Sequence, residues 1–215
     1  IMRNVIGVVA SVAYIVGVLA FSSKMKCFGL EFSRKFAHMM VANWWFIGNY
    51  IFDNVIACST VPIIIGTVMA LSYKYSWFDG VERPGQKKSF GTVYYFISLL
   101  LLVNISFRLY GNMIPMGIYF MPLGYGDGMA ALVGKKFYKG IYNVRGSQKS
   151  VSGSLAMFLV SFMTMYGYSV IYDLNYSVQK LLALSVAAAV IEAVSIKGSD
   201  NITIPLGTYI VSFII

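Results

Sequence analysis

The chain has 215 residues, 58% of them hydrophobic and only 12% charged, with a formal net charge of +9. A soluble domain of this size carries about 25% charged residues, so the composition excludes a chain that faces water on all sides, as does a mean hydropathy of +0.72. Apolar runs recur near the roughly 20 residues that a bilayer crossing needs, which predicts an all-α, polytopic transmembrane helical bundle.

In chain order, spans are predicted at 5–21, 37–52, 55–72, 91–107, 113–134, 151–172, 178–196 and 201–215, about seven to eight in all. Residues 1–215 are expected to form a single integral-membrane domain, with truncation allowed for at either end, because the sequence opens on Ile1 and closes in an apolar run at Ile215. The first run, Val5 to Phe21, is not read as a signal peptide: no small-residue cleavage site follows it and the next segment is basic. Cys27 and Cys58 fit neither a disulfide framework nor a metal motif. With the N-terminus outside, loops 22–36, 73–90, 135–150 and 196–200 face the cytoplasm and hold 14 of the 17 Lys and Arg residues. Only Arg3, Arg108 and Lys180 fall on the other side. The positive charge therefore reads as membrane orientation rather than a nucleic-acid footprint, and no nucleic-acid partner is expected. Trp44, Trp45, Tyr73, Tyr75 and Trp77 lie near span ends, as interfacial aromatics should.

Most polar outliers then collect at the cytoplasmic end. In "EFSRKFAHMM" (31–40), Arg34, Lys35 and His38 open the second span, and Lys35 and His38, three apart, share a helix face. They read either as positive-inside anchors or as a proton acceptor and phosphate contacts. "ERPGQKKSFGTVYYF" (82–96) is a charged loop in which Glu82, Arg83, Lys87 and Lys88 read as solvated, leading through Ser89 into the fourth span. In "PLGYGDGMAALVGKK" (122–136), Asp127 stands between Gly126 and Gly128 near bilayer depth, where an acid is costly and functional by default. The glycines predict a helix break that lines a polar cavity, with helix packing as the alternative. Asp127 supplies a hard oxygen suited to a cation such as Mg²⁺. Lys135, Lys136, Lys139, Arg145 and Lys149 add positive charge, and Ser150, Ser152, Gly153 and Ser154 open the sixth span, where free N–H donors favour phosphate. In "IEAVSIKGSDNITIP" (191–205), Glu192 lies within the seventh span, and Gly198, Asp200, Asn201 and Pro205 predict a broken turn. Asp200 is either a helix cap or, with Asp127 and Glu192, part of an acidic cluster that positions a metal-bound triphosphate.

Together these patches resemble the membrane-embedded polyprenol, phytol and diacylglycerol kinase family (dolichol kinase-like, phytol kinase-like), the CTP-dependent lipid-alcohol kinases. The R-K-x-x-H element reads as Arg34-Lys35-Phe36-Ala37-His38, and G-D-G-x-A-x-x-x-G-[KR] as Gly126-Asp127-Gly128 through Gly134-Lys135. K-S-x-x-G-S reads as Lys149-Ser150-Val151-Ser152-Gly153-Ser154, and G-x-D-N-x-x-x-P as Gly198-Ser199-Asp200-Asn201 with Pro205. The resemblance covers about residues 31–207, with departures at Asn43 and at Tyr138, where a glycine commonly follows the Phe. It implies phosphoryl transfer from a nucleoside triphosphate, CTP, to the hydroxyl of a lipid alcohol that enters from the bilayer, with the nucleotide arriving from the cytoplasm. It further implies a multi-pass protein of a prokaryotic plasma membrane, surrounded by membrane lipids. Asp127 and Asp200 are expected to hold Mg²⁺ or another divalent cation. Lys35, Gly126, Gly128, Lys135, Lys149, Ser150, Gly153, Ser154 and Asn201 are expected to bind the nucleotide. Asp127, His38 and Glu192 are the expected catalytic residues, with His38 or Glu192 on the substrate hydroxyl. Two alternatives stand beside this reading. One is a cytidylyltransferase forming a CDP-lipid, although the K-D-x-G-x-x-x-P-G-H-G-G-x-x-D-R run of phosphatidate cytidylyltransferases is missing. The other is a small anion transporter with Asp127 in a discontinuous helix.

Overall fold

Residues 2–75, 90–144, 146–196 and 198–215 are described by a computed structural model, in which the chain forms two compact units, Ile1–Met116 and Gly117–Ile215. In the first unit, α1 (Met2–Lys24) leads through a 3-10 turn (Met25–Phe28) to α2 (Leu30–Ala42), α3 (Trp44–Ile51), α4 (Val55–Tyr75) and α5 (Gly91–Tyr110). α1 packs against α2, α3 and α4, and α4 against α5. Two pairs of polar side chains in this apolar unit are bonded to one another, which lowers the cost of placing them in an apolar surround. Asn104 Nδ2 donates to Ser59 Oγ at 3.0 Å between α5 and α4, and Asn4 Nδ2 donates to Asp53 Oδ1 at 2.6 Å.

The second unit begins within α6 (Ile114–Met121), which runs through a π turn (Pro122–Asp127) into α7 (Gly128–Phe137). A hairpin follows, β1 (Ile141–Val144) and β2 (Ser147–Ser150), and then α8 (Val151–Ile171), α9 (Val178–Val194) and α10 (Asp200–Val211). α8 packs against the π turn, α7 and α9, while α10 packs against α9 and the π turn. Hydroxyls inside the helices donate back to the preceding turn, as Ser185 Oγ does to Leu181 O (2.7 Å) and Thr208 Oγ1 to Ile204 O (2.8 Å). That removes the cost of an unpaired group in an apolar surround.

Four segments among the described residues are long and apolar enough to cross a membrane: Met2–Phe28, Val55–Ser72, Gly91–Tyr110 and Val151–Ile171. Leu155, Leu159 and Met163 on α8 and Val186 and Val190 on α9 are exposed, so apolar side chains face outward as lipid contact demands. The other predicted spans take different forms. Span 37–52 is divided at Asn43, whose N–H bonds back to Met40 O (3.1 Å) and whose carbonyl accepts Phe46 N–H (3.1 Å), so the chain tightens there between α2 and α3. Most of the expected loop 22–36 is helical. α9 and α10 are shorter than the spans predicted for them. Trp44 and Trp45 are fully buried rather than interfacial, because α3 turns them inward, with Trp44 against Phe52 at 6.2 Å between ring centroids. Trp77, Glu82, Arg83, Lys87, Lys88, Ser89, Arg145 and Lys197 lie outside the described residues. The fold is all-α apart from the hairpin, which the sequence reading treated as loop.

Candidate active site

Asp127 closes the π turn, and the helix does not break there. Asp127 (φ −63°, ψ −36°) and Gly128 (φ −55°, ψ −53°) both keep right-handed helical geometry. The expected break is thus a widened turn instead, and Pro122, which has no N–H to offer the helical ladder, stands where the register changes. Gly126 serves packing: a Cβ there would overlap Ser161 Oγ and reach Met157 Sδ at 2.8 Å on α8. Asp127 is 3% exposed, and its charge acts on Lys149.

The start of α8 also differs from expectation. Its first N–H donors were expected to be free for phosphate. Instead Val151 N–H donates to Gly140 O (2.9 Å), Ser152 N–H to Lys139 O (3.5 Å) and Gly153 N–H to Ser150 Oγ (3.1 Å). Ser150 is the N-cap, and Ser152 Oγ donates to it at 3.2 Å. Gly153 and Gly134 let α8 and α7 cross closely. A Cβ on Gly153 would meet Ala130 O at 2.9 Å, and one on Gly134 would meet Ser150 Oγ at 2.8 Å.

Hairpin register brings the polar cluster together. Antiparallel pairing sets Tyr142 opposite Lys149. The Tyr142 and Ser154 hydroxyls share a hydrogen bond of 2.6 Å, and Lys149 Nζ donates both to Glu192 O (3.0 Å) and to Glu192 Oε1. Glu192 is 6% exposed and sits in the last turn of α9, where a cation is favoured by the helix dipole. Burial disfavours the Lys149 ammonium, but the Glu192 carboxylate, then Asp200 and Asp127, outweigh it and hold its pKa above the usual lysine range. One lysine thus sits in the field of three carboxylates. Tyr142 is not singled out in the sequence; the available signal is Gly146 between the short segments 141–144 and 147–150.

In the third patch a turn at Gly198 and Ser199 precedes α10, and Gly198 has φ +89°. Asn201 and Pro205 lie in α10, within the span predicted at 201–215, and Asp200 opens the helix rather than the turn before it, accepting Asn201 N–H at 3.0 Å. Asn201 Nδ2 donates to Gly198 O (3.3 Å), while its Oδ1 is buried with no hydrogen-bond partner among the described residues. Lys135 is exposed at the C-terminal turn of α7. Lys35 and His38 belong to α2 of the first unit. Lys35 is 5% exposed, and the His38 ring meets Tyr95 edge-on at 4.6 Å, with Tyr95 Oη donating to His38 O (3.2 Å).

Beside the cluster lies an apolar groove of about 370 Å³ between α8 and α9. Leu155, Phe158, Val186 and Val190 line its length, and Val151, Ser154 and Ala193 lie in its wall next to Ser150 and Glu192 in the chain. No group of three or more His, Cys, Asp or Glu side chains forms a metal cage among the described residues.

No family model and no solved structure matches the chain. In sequence it is 30% identical over 192 residues to the phytol kinase of Synechocystis sp., covering 85% of this chain and 78% of that protein. The chain belongs to the phytol kinase family. It is also 29% identical over 210 residues to the probable chloroplastic phytol kinase of Triticum aestivum (85% of this chain, 67% of that protein). A shorter match, 34% over 112 residues, joins it to the dolichol kinase of Saccharomyces cerevisiae, covering 50% of this chain and 20% of that protein. In this member of the family Lys149 and Glu192 form a part-buried ion pair in the field of Asp127 and Asp200.

Proposed function

We propose that the chain is a lipid-alcohol kinase that transfers the γ-phosphoryl group of CTP to the hydroxyl of a phytol, polyprenol or diacylglycerol. The observation that carries this reading is a half-buried lysine amid three carboxylates, beside an apolar groove on a helix long enough to cross a bilayer. The hydrocarbon chain of the acceptor lies along the α8–α9 groove, and its hydroxyl meets the polar end near Tyr142 and Ser154. The alcohol oxygen bonds to the γ-phosphorus, the bond to the β–γ bridging oxygen breaks, and the nucleoside diphosphate leaves. Such a transfer needs positioning and charge neutralisation more than covalent chemistry. Lys149 and Lys135 supply the positive charge.

Mg²⁺ is commonly held by one or two carboxylates together with substrate phosphates rather than by an all-protein cage. Asp127 and Asp200 fit that pattern, and the buried, unbonded Asn201 Oδ1 is a further hard oxygen on the same α10 turn. When bound, the ion would neutralise charge on the nucleotide phosphates. The active site faces the cytoplasm.

The test is thin-layer analysis after incubating the purified protein with lipid alcohols and labelled nucleotide. Label from γ-labelled CTP, and not from α-labelled CTP, is expected in the lipid product. Transfer of α-label would mark a cytidylyltransferase, and transfer from neither CTP nor ATP would refute the proposal.

A further inference from the structure

The geometry points to Glu192 as a positioning residue that acts through Lys149, not as the acceptor of the alcohol proton. The inference rests on the kinase reading above and assigns a different role within the same site. A lysine ammonium has three N–H donors. Two of them go to a single residue, the Glu192 carboxylate and the Glu192 main-chain carbonyl, so the head group is fixed at both ends of that residue and, among the described residues, one donor is left over. The main-chain carbonyl also accepts Ser195 N–H at 3.2 Å, so it belongs to the bonded end of α9 and is itself immobile. Lys149 in turn comes from a paired strand, opposite Tyr142, so its stem is fixed as well. An ammonium held in this way presents its third N–H in one direction, which suits a phosphate oxygen.

This assignment separates from the general-base alternative by which substitution matters and by whether the effects couple. The probe is inorganic triphosphate, titrated onto the protein in detergent, with lipid phosphorylation measured in parallel. Glu192→Gln keeps an oxygen for the ammonium but removes the charge, and should weaken triphosphate binding by about threefold. Glu192→Ala removes the charged hydrogen bond, and a loss of about tenfold is expected. In a Lys149→Ala background, Glu192→Ala should cause no further loss, because its influence runs through the lysine. At saturating nucleotide, Glu192→Gln should lower turnover by less than about tenfold, whereas loss of a general base costs about 10²–10⁴-fold. If Lys149→Ala does not fold, the comparison of Glu192→Gln with Glu192→Asp on turnover decides alone: an inactive Gln variant beside an active Asp variant overturns the inference. Additive losses in triphosphate binding overturn it too, as does a parent that fails to bind triphosphate. Coupled binding losses in a protein that phosphorylates no lipid would uphold the role of Glu192 and refute the kinase reading instead.

Discussion

Gly153 and Gly126 both lack a side chain for reasons of space, yet their neighbours differ in what can yield. A Cβ on Gly153 meets a main-chain oxygen, that of Ala130 at 2.9 Å, whereas one on Gly126 meets the side chains of Ser161 and Met157. Methionine repacks readily and a backbone crossing does not, so Gly153→Ala should lower stability by about 1–3 kcal/mol and Gly126→Ala by less. Thermal unfolding in detergent measures the difference, and equal losses would contradict the α7–α8 crossing as described. Lys149 gives a prediction in pH. Its pKa is raised on folding, so the stability it contributes is complete below the ordinary lysine pKa of about 10.4 and is lost as pH rises through the higher folded value. From about pH 6 to about pH 9 Lys149 should therefore add no slope to stability; a rise in stability with pH there that Lys149→Met abolishes would contradict the assignment. At this scale the sequence was informative where charge sits in an apolar context, since Asp127, Lys149, Glu192 and Asp200 stand out by cost alone. It was silent on partners. Nothing local says that Lys149 ends on Glu192, or that Ser150 caps α8.

Periodicity served well for elements whose whole length is apolar. α1, α4, α5 and α8 lie close to their predicted bounds because a long lipid-facing run leaves little choice. It failed where local bonding decides, at Asn43 between α2 and α3 and at the π turn, which keeps helical dihedrals through two glycines. The hairpin was hidden by its lysines, which resemble a solvated loop until the cross-strand register pairs Tyr142 with Lys149. The groove between α8 and α9 carries its own prediction. Ala189 is among its lining residues, so Ala189→Phe fills it and should raise the KM for the alcohol about tenfold while the nucleotide KM stays within about twofold. A matching rise in both constants would mean that the groove is not the lipid path.

For the whole molecule, the account joins a multi-pass membrane protein to soluble nucleotide chemistry, so its orientation matters. The hairpin and the end of α7 should face the cytoplasm. Single cysteines placed at 141–144 should resist an impermeant thiol reagent in intact cells, and those at 174–177 should react; the opposite pattern would overturn the orientation. The central claim is that the second unit holds a phosphoryl-transfer centre built around Asp127. Asp127→Asn keeps the size of a side chain that is 3% exposed and removes the negative charge that a hard cation prefers. The decisive measurement is labelled-phosphate transfer to a lipid alcohol across a Mg²⁺ titration, for the parent and Asp127→Asn, beside their unfolding temperatures in detergent. A folded Asn variant with no turnover at any Mg²⁺ concentration is expected. Near-parental turnover with an unchanged Mg²⁺ profile would contradict it.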